Sequence, residues 1–453
     1  MIRKIIYCNG VGMSNHRLGK QSIEKLMISM CSQTTFSLIV YNLYCITDTF
    51  FLSRGIGSSA NAAVGVFSPV IVLTGAFSTT IGVGAGSVLS RKLGEDDYQK
   101  AEKIVGCMFF IWIVCALAIS ACGLIFFDPL IKALGATDNI LPYANIYGKI
   151  ILAGTLMSTG FSGVMRANGD ITYSTLQWLL PVLINLIFDP ILIFVCGLGI
   201  AGAAYATLIA HFVTAVTSIY YFFIRKKTLC RIRPGLIRWD KQIAAEIMSI
   251  GFPSFFNSFG SSMIIVLFNN ILKAIGGDTA LSTYAILSRF NALVTTPFTG
   301  VMQGIQPIIG YNFGKRNNER VSKTVRYAFI TTIVYGLAVT CVCLFGAANI
   351  YRFFTAQADI QVMGAEALRI ISLSYGIKGL AGVTTAYFQA VGNARIVFKL
   401  SLGNVFFIQI PVILIMSLFN NSTVLWFSCI ISDIVLSIWA IQTYRKRRNF
   451  VYV

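Results

Sequence analysis

Apolar residues recur along this chain in runs of about 20, the length an α-helix needs to cross the hydrocarbon core of a bilayer. Twelve such runs lie near 25–51, 61–89, 104–127, 140–165, 173–196, 200–224, 243–272, 280–309, 325–349, 362–389, 396–419 and 423–443. The fourth and tenth carry internal polar residues and are the least regular. The runs are too long and too continuous for alternating β-strands, so the pattern predicts an all-α membrane protein with twelve transmembrane helices.

The polar segments between the runs set the orientation. With the N-terminus inside, the cytoplasmic segments are 1–25, 90–103, 166–172, 225–242, 310–326, 390–399 and 444–453, and they hold 28 of the 36 Lys and Arg. The opposite loops hold only Arg54, Lys132, Lys273 and Arg352. Cytoplasmic loops gather basic residues, so both termini are expected in the cytoplasm of a multi-pass protein of the cell (inner, plasma) membrane. The opening stretch MIRKIIYCNGVG has no apolar run long enough for a signal peptide, and Met13 offers a second start, so the first helix is read as an uncleaved span.

The chain also repeats itself. SRKLGEDDYQKAEKIV (90–105) aligns with GYNFGKRNNERVSKTV (310–325) at an offset of 220, which also pairs Gly57 with Gly277 and Ala60 with Ala280. Further on, MRANGD (165–170) aligns with FQAVGN (388–393). The predicted organisation is a cytoplasmic N-terminal segment (1–24), a six-helix bundle (25–224), a basic cytoplasmic linker (225–242), a second six-helix bundle (243–443) and a basic cytoplasmic tail (444–453). Six is even, so the two bundles share one orientation, as in carriers built from parallel repeats. Prolines 69, 181, 190, 253, 297, 307 and 411 fall inside spans, where each removes a helix hydrogen bond.

Composition narrows the reading. Only 12% of the 453 residues are charged and 56% are apolar, against about 25% charged in a soluble globular chain. A soluble multi-domain protein, a disordered chain and a disulfide scaffold are excluded. The formal charge of +19 is assigned to cytoplasmic loops beside anionic lipid, not to nucleic acid, since no RNA-binding aromatic pattern or zinc spacing interrupts the runs. Eleven cysteines include no CxxC and read as small reduced packing residues. Two histidines offer neither a metal cluster nor a catalytic triad, and no GxxxxGK[ST] is present. An enzyme is therefore not expected, nor any cofactor or metal, and transport would draw on an ion gradient or another subunit.

Three acids lie well inside spans: Asp48, Asp189 and Asp433. An ionisable group at membrane depth is costly and points to function. Asp48 sits about 6 residues, or roughly 9 Å, below the outer end of the first span, and Asp189 lies at a similar depth in the fifth. Asn185 is one turn deeper on the face of Asp189, and Thr207 in the sixth span is level with it. Two carboxylates in one leaflet without a nearby base cannot both stay charged cheaply, so they are expected to take up a proton or hold a cation; a buried packing network is the alternative. The offset of 220 puts Phe268 where the second half would match Asp48. Asp433, near the midplane of the last span, and Arg289 in the eighth are candidates for a substrate cleft or second ion site. Arg369 and Lys378 are further intramembrane bases.

NLIFDP (185–190), followed by GLGIAGAAYATLIA (197–210), resembles the fifth and sixth helices of the MATE (multidrug and toxin extrusion) transporters. CITDTFFLSRGIG (45–57) resembles the end of their first helix, and GIQPIIGYNFG (304–314) their eighth helix and following loop. The overall pattern is most similar to the MepA-type branch, with DinF-type relatives. The resemblance implies two six-helix bundles around a V-shaped central cleft. It also implies rocker-type export of lipophilic cationic compounds by a monomer, in exchange for protons or sodium. By the same resemblance, Asp48, Asn185, Asp189 and Thr207 match the ion-coupling cluster of the N-terminal half. One departure stands out: GFPSFFNSFGSSM (251–263) lacks the Glu that the NorM-type branch carries in its seventh helix. A lipid-linked saccharide flippase of the same superfold is the alternative, and a channel or receptor a more distant one.

Overall fold

The computed structural model describes residues 17–56, 58–225, 228, 232 and 234–448, apart from the side chains of 45, 46, 48–50, 53–55, 58, 59 and 61. Helices make up nearly all of it. The first three spans are α1 (Ile23–Gly55), α2 (Ser58–Gly94) and α3 (Tyr98–Ile125). After a short α4 (Phe127–Ala133), the fourth span is divided between α5 (Leu141–Ala153) and α6 (Ser162–Ala167). α7 (Ile171–Pro190) and α8 (Gly199–Ile219) are the fifth and sixth.

α9 (Lys241–Gly314) holds the seventh and eighth spans, which turn at the single non-helical residue Gly277 (φ 59°, ψ −150°). α10 (Asn318–Phe354) is the ninth; α11 (Ala358–Ser372) and α12 (Tyr375–Ala390) share the tenth. α13 (Ala394–Leu402), a π-helical turn at Gly403–Gln409 and α14 (Ile410–Ser417) form the eleventh, and α15 (Ser422–Arg447) the twelfth. Among the described residues nine helices are long and apolar enough to cross a membrane, or ten with the bent fourth span. Dividing α9 at Gly277 and joining α11 to α12 gives the expected twelve.

Two spans depart from the continuous helices expected at 140–165 and 362–389. The fourth bends by 47° around a 3₁₀ turn at Thr155–Met157. The break follows from close packing: a Cβ on Gly82 would strike the Gly160 carbonyl, and one on Gly160 the Ser78 carbonyl. The carbonyl of Ser158, freed by the break, accepts from Ser78 Oγ (3.2 Å) and Trp112 Nε1 (3.2 Å). The tenth breaks at Leu373–Ser374, where Thr340 Oγ1 donates to the Ser372 carbonyl (2.6 Å) and Ser437 Oγ to that of Ile377 (3.1 Å). Side chains from neighbouring spans thus satisfy backbone groups that lipid cannot.

The repeat is visible in backbone geometry. Asp96 and Arg316, 220 residues apart, both adopt positive φ (59° and 58°). The next residues, Asp97 and Asn317, each cap a helix: their side chains accept from Lys100 N and Arg320 N at 3.1 Å. Gly169 and Gly392 likewise share φ values of 80° and 83°, at an offset of 223.

The chain divides into two compact units that do not coincide with 25–224 and 243–443. Among the described residues the first comprises 17–22 and 36–255, the second 23–35 and 256–448. The opening of α1 therefore packs with the second unit, and the opening of α9 with the first. Small residues permit both seatings. A Cβ on Gly84 would strike the backbone at Ile247 and approach Gly251 N at 3.2 Å, while one on Gly304 would meet Cys31 Cα at 2.9 Å. Gly84 and Gly304 are again 220 apart. Each seating carries an ion pair, Arg91–Glu246 (2.7 Å) in the first unit and Lys323–Glu24 (2.8 Å) in the second. The last span runs to Arg447, beyond the expected start of the tail at 444, and part of the 225–242 linker lies outside the described residues.

Candidate functional site

In the first unit the site is built on α7. Asn185 and Asp189 stand one turn apart on its buried face, 2% and 1% exposed. Pro190 follows at once. Lacking an N–H, it interrupts the α-helical ladder, and the chain continues as a π-helical turn at Ile191–Val195. Gly197 (φ 65°) and Gly199 (φ 55°) then reverse the chain into α8 in a conformation that side chains resist. Gly202 completes the approach, since a Cβ there would lie 2.7 Å from the Leu192 backbone.

The oxygens of the Asp189 carboxylate and Oδ1 of Asn185 are closed off from solvent, and that Asn185 atom has no hydrogen-bond partner among the described residues. Thr207 Oγ1 donates to the Ala203 carbonyl on its own helix (3.1 Å), which leaves its lone pairs as acceptors. The Asp48 side chain lies outside the described residues. One turn beyond it, Leu52 (1% exposed) packs against Ile193 and Ala203. Those positions stand one turn from Asp48, Asp189 and Thr207 respectively. The three helices expected to carry the cluster therefore converge beside the acid layer, under an apolar seal. An enclosed carboxylate with an amide oxygen one turn away is acceptor-rich, and suits a proton or a small cation better than an anion.

In the second unit Asp433 lies on the buried face of α15, 6% exposed. Its Oδ2 accepts from Ser374 Oγ (2.7 Å) and from Lys378 Nζ (3.2 Å). Ser374 stands at the break in the tenth span, and Lys378 one turn beyond it on α12. A cavity of about 310 Å³ opens beside this pair, lined among others by Phe268, Tyr284, Asn291, Gln409 and Ser432. Tyr375 Oη donates to Asn291 Oδ1 (3.1 Å). Arg289 is not part of this arrangement: it is exposed on α9 and makes no hydrogen bond or ion pair among the described residues, so Lys378 is the counter-ion. Lys378 was legible as an intramembrane base, but its pairing with Asp433 depends on the break at Ser374, which no sequence pattern marks.

Twelve spans in two repeated sets, with ionisable groups enclosed between helices, define a polytopic membrane protein of the carrier type. The MatE family profile matches residues 34–191 and 253–415, and the chain belongs to the MatE family. Among its relatives, Multidrug export protein MepA of Staphylococcus haemolyticus is 27% identical over 439 residues, covering 95% of each chain. The protein of that name from Staphylococcus aureus is 27% identical over 416 residues, covering 90% of each. An outward-facing multidrug resistance MATE family transporter of the MOP superfamily superposes with a TM-score of 0.90 at 25% identity, over 98% of both chains.

Proposed function

We propose that this protein is a secondary active multidrug exporter of the cell membrane, with cytoplasmic termini, working as a monomer. It exchanges lipophilic cations for protons or sodium by alternating access, and the coupling ion binds at Asp48, Asn185, Asp189 and Thr207. The observation that carries the reading is the enclosed Asn185–Asp189 pair on α7, next to the proline that breaks this helix and beside Leu52, Ile193 and Ala203. Membership of the MatE family and the names of its relatives support export of drugs in general. A carboxylate in low dielectric is stable only when neutralised, so its ion load can govern how α1 packs against α7 and α8.

Expression in a drug-sensitive host should lower accumulation of ethidium, and collapse of the proton or the sodium gradient should abolish the effect. Unchanged accumulation of several chemically different cations, with protein confirmed in the membrane, would turn the reading towards the saccharide flippase.

A further inference from the structure

His211 takes no part in the coupling cluster, yet it is an ionisable group at membrane depth on the helix that carries Thr207. On α8 it shares a face with Thr207, Thr214 and Ser218, which stand at helical spacings from one another. Thr214 and Ser218 are 5% and 1% exposed, whereas Tyr205, Phe212, Val216 and Ile219 mark the opposite, exposed face. His211 is partly accessible and makes no hydrogen bond or ion pair among the described residues. It therefore borders a gap inside the unit, with its ring nitrogens uncommitted.

Gln177 fixes the register of α7 against α8: its Nε2 donates to Thr217 Oγ1 (3.0 Å) and its Oε1 accepts from Ser218 Oγ (3.2 Å). Equal rise along the two antiparallel helices then puts His211 between Pro181 and Asn185, roughly 8 Å to the cytoplasmic side of Asp189 and roughly 10 Å short of Gln177. Polar groups continue on both sides of it. Towards Asp189 stands the unpartnered Asn185 Oδ1, and towards the cytoplasm Pro181 has no N–H for the Gln177 carbonyl. Ser218 Oγ in turn lies 3.4 Å from Thr159 Oγ1, at the break in the fourth span. The second unit has no such file. The offset of 223 that relates Gly169 to Gly392 sets Ile408, Leu400, Ile434, Ala440 and Ile441 opposite Asn185, Gln177, His211, Thr217 and Ser218. The scaffold stands without these polar groups, so they serve the chemistry of the first unit.

We propose that His211 is a proton relay, carrying the proton released by Asp189 along this file towards the cytoplasmic end of the first unit. The proposal rests on the exporter reading above and deepens it, since such a relay passes a proton and not sodium. The protonated Asp189 carboxyl gives its proton, across water bound at Asn185 Oδ1, to the neutral imidazole. The carboxylate and imidazolium so formed balance each other in low dielectric. The imidazolium then gives the proton on its other nitrogen to water beside the Gln177, Ser218 and Thr159 side chains, and the neutral ring is restored. Histidine suits the step because one nitrogen accepts while the other donates, near neutral pH. The other ionisable groups on the elements packed against α8 are Asp189 and Tyr173 on α7, Tyr143, Tyr147 and Lys149 on α5, and Tyr220 and Tyr221 on the turn after α8. Lys149 lies over Phe127 (5.3 Å), and Tyr147 against Phe67 (6.1 Å). Tyr173 packs on Tyr221 (5.1 Å), and Arg166 donates to Ser174 (2.9 Å), both towards the cytoplasmic end of α7. Phenols stay protonated near neutral pH, so Asp189 is the group on these elements that exchanges a proton with His211.

Proteoliposomes separate a relay from a packing role. Gradient-driven ethidium efflux needs a proton to cross, whereas exchange of internal for external ethidium returns the carrier loaded and moves no proton. His211→Gln keeps much of the ring's bulk and cannot titrate. It should slow proton-driven efflux, and the proton flux that ethidium evokes, by about tenfold or more, while exchange stays within about twofold of the wild type. Efflux at the wild-type rate would overturn the proposal. So would loss of exchange together with efflux, which is what a packing role predicts. Should His211→Gln not fold, His211→Asn is read in the same way. The wild type tells the two readings apart: no ethidium export under any gradient counts against the exporter reading, while export driven by sodium alone counts against the relay only.

Discussion

At the scale of single residues, the division of labour in the first unit follows from chemistry. Asp189 can change charge; Asn185 and Thr207 can only orient and accept. Asn185→Ala and Thr207→Ala are therefore expected to slow gradient-driven ethidium efflux by about tenfold or less, the loss of about one hydrogen bond, without abolishing it. Vesicle transport at matched protein abundance checks this, and complete loss in either variant would mean that these residues do more than orient. Much of this site was legible in the sequence. The motif NLIFDP places an amide and an acid one helical turn apart, and a carboxylate inside an apolar run is costly enough to mark a site. The cation partner of Asp433 was not legible, because Lys378 and Asp433 are brought together by a break in the tenth span and not by spacing along one helix.

At the scale of elements, glycine seams decide how helices seat. Gly84 and Gly304 receive the openings of α9 and α1, where even a methyl group would strike backbone. Overpacking of this kind costs about 1–3 kcal/mol or more. Gly84→Leu and Gly304→Leu are each expected to lower detergent-solubilised thermal stability and membrane abundance. By contrast Gly65→Leu, at a position with no atom near its Cβ direction, should leave both unchanged. Equal behaviour of all three variants would show that the seams are not what holds these segments. Hydrophobic runs gave the twelve spans, because bilayer thickness dictates their length, although the helices overrun the apolar runs, as α10 (Asn318–Phe354) does at both ends of 325–349. They did not give the breaks in the fourth and tenth, since a broken span and a continuous one contain the same number of apolar residues. Nor did they reveal that residues 23–35 and the start of α9 pack away from their own halves: a chain-order boundary at 225–242 is a property of loops, and packing is a property of faces.

At the scale of the whole molecule, the repeat and the charge asymmetry are the two organising facts. Positive-φ residues at 96 and 316, each followed by a side-chain cap, show that corresponding loops fold alike. The orientation drawn from 28 of 36 basic residues predicts that a cysteine introduced in the 225–242 loop resists impermeant thiol reagents added to intact cells. Ready labelling from outside would invert the topology, and with it the depths assigned to Asp48 and Asp189. Within that frame the halves carry different chemistry: an enclosed acid and an amide in one, an aromatic wall and an ion pair in the other. The central claim is that the acids of the first half couple an ion gradient to export. Asp48 and Asp189 are expected to act as one titrating unit, so neutralising either should remove coupling and neutralising both should add little. The most direct measurement is ethidium efflux under an imposed gradient by Asp48→Asn, Asp189→Asn and the double variant, at matched membrane abundance. Both single variants should lose gradient-driven efflux, with the double variant scarcely worse; near-normal efflux from both single variants would contradict the claim and reduce the cluster to helix packing.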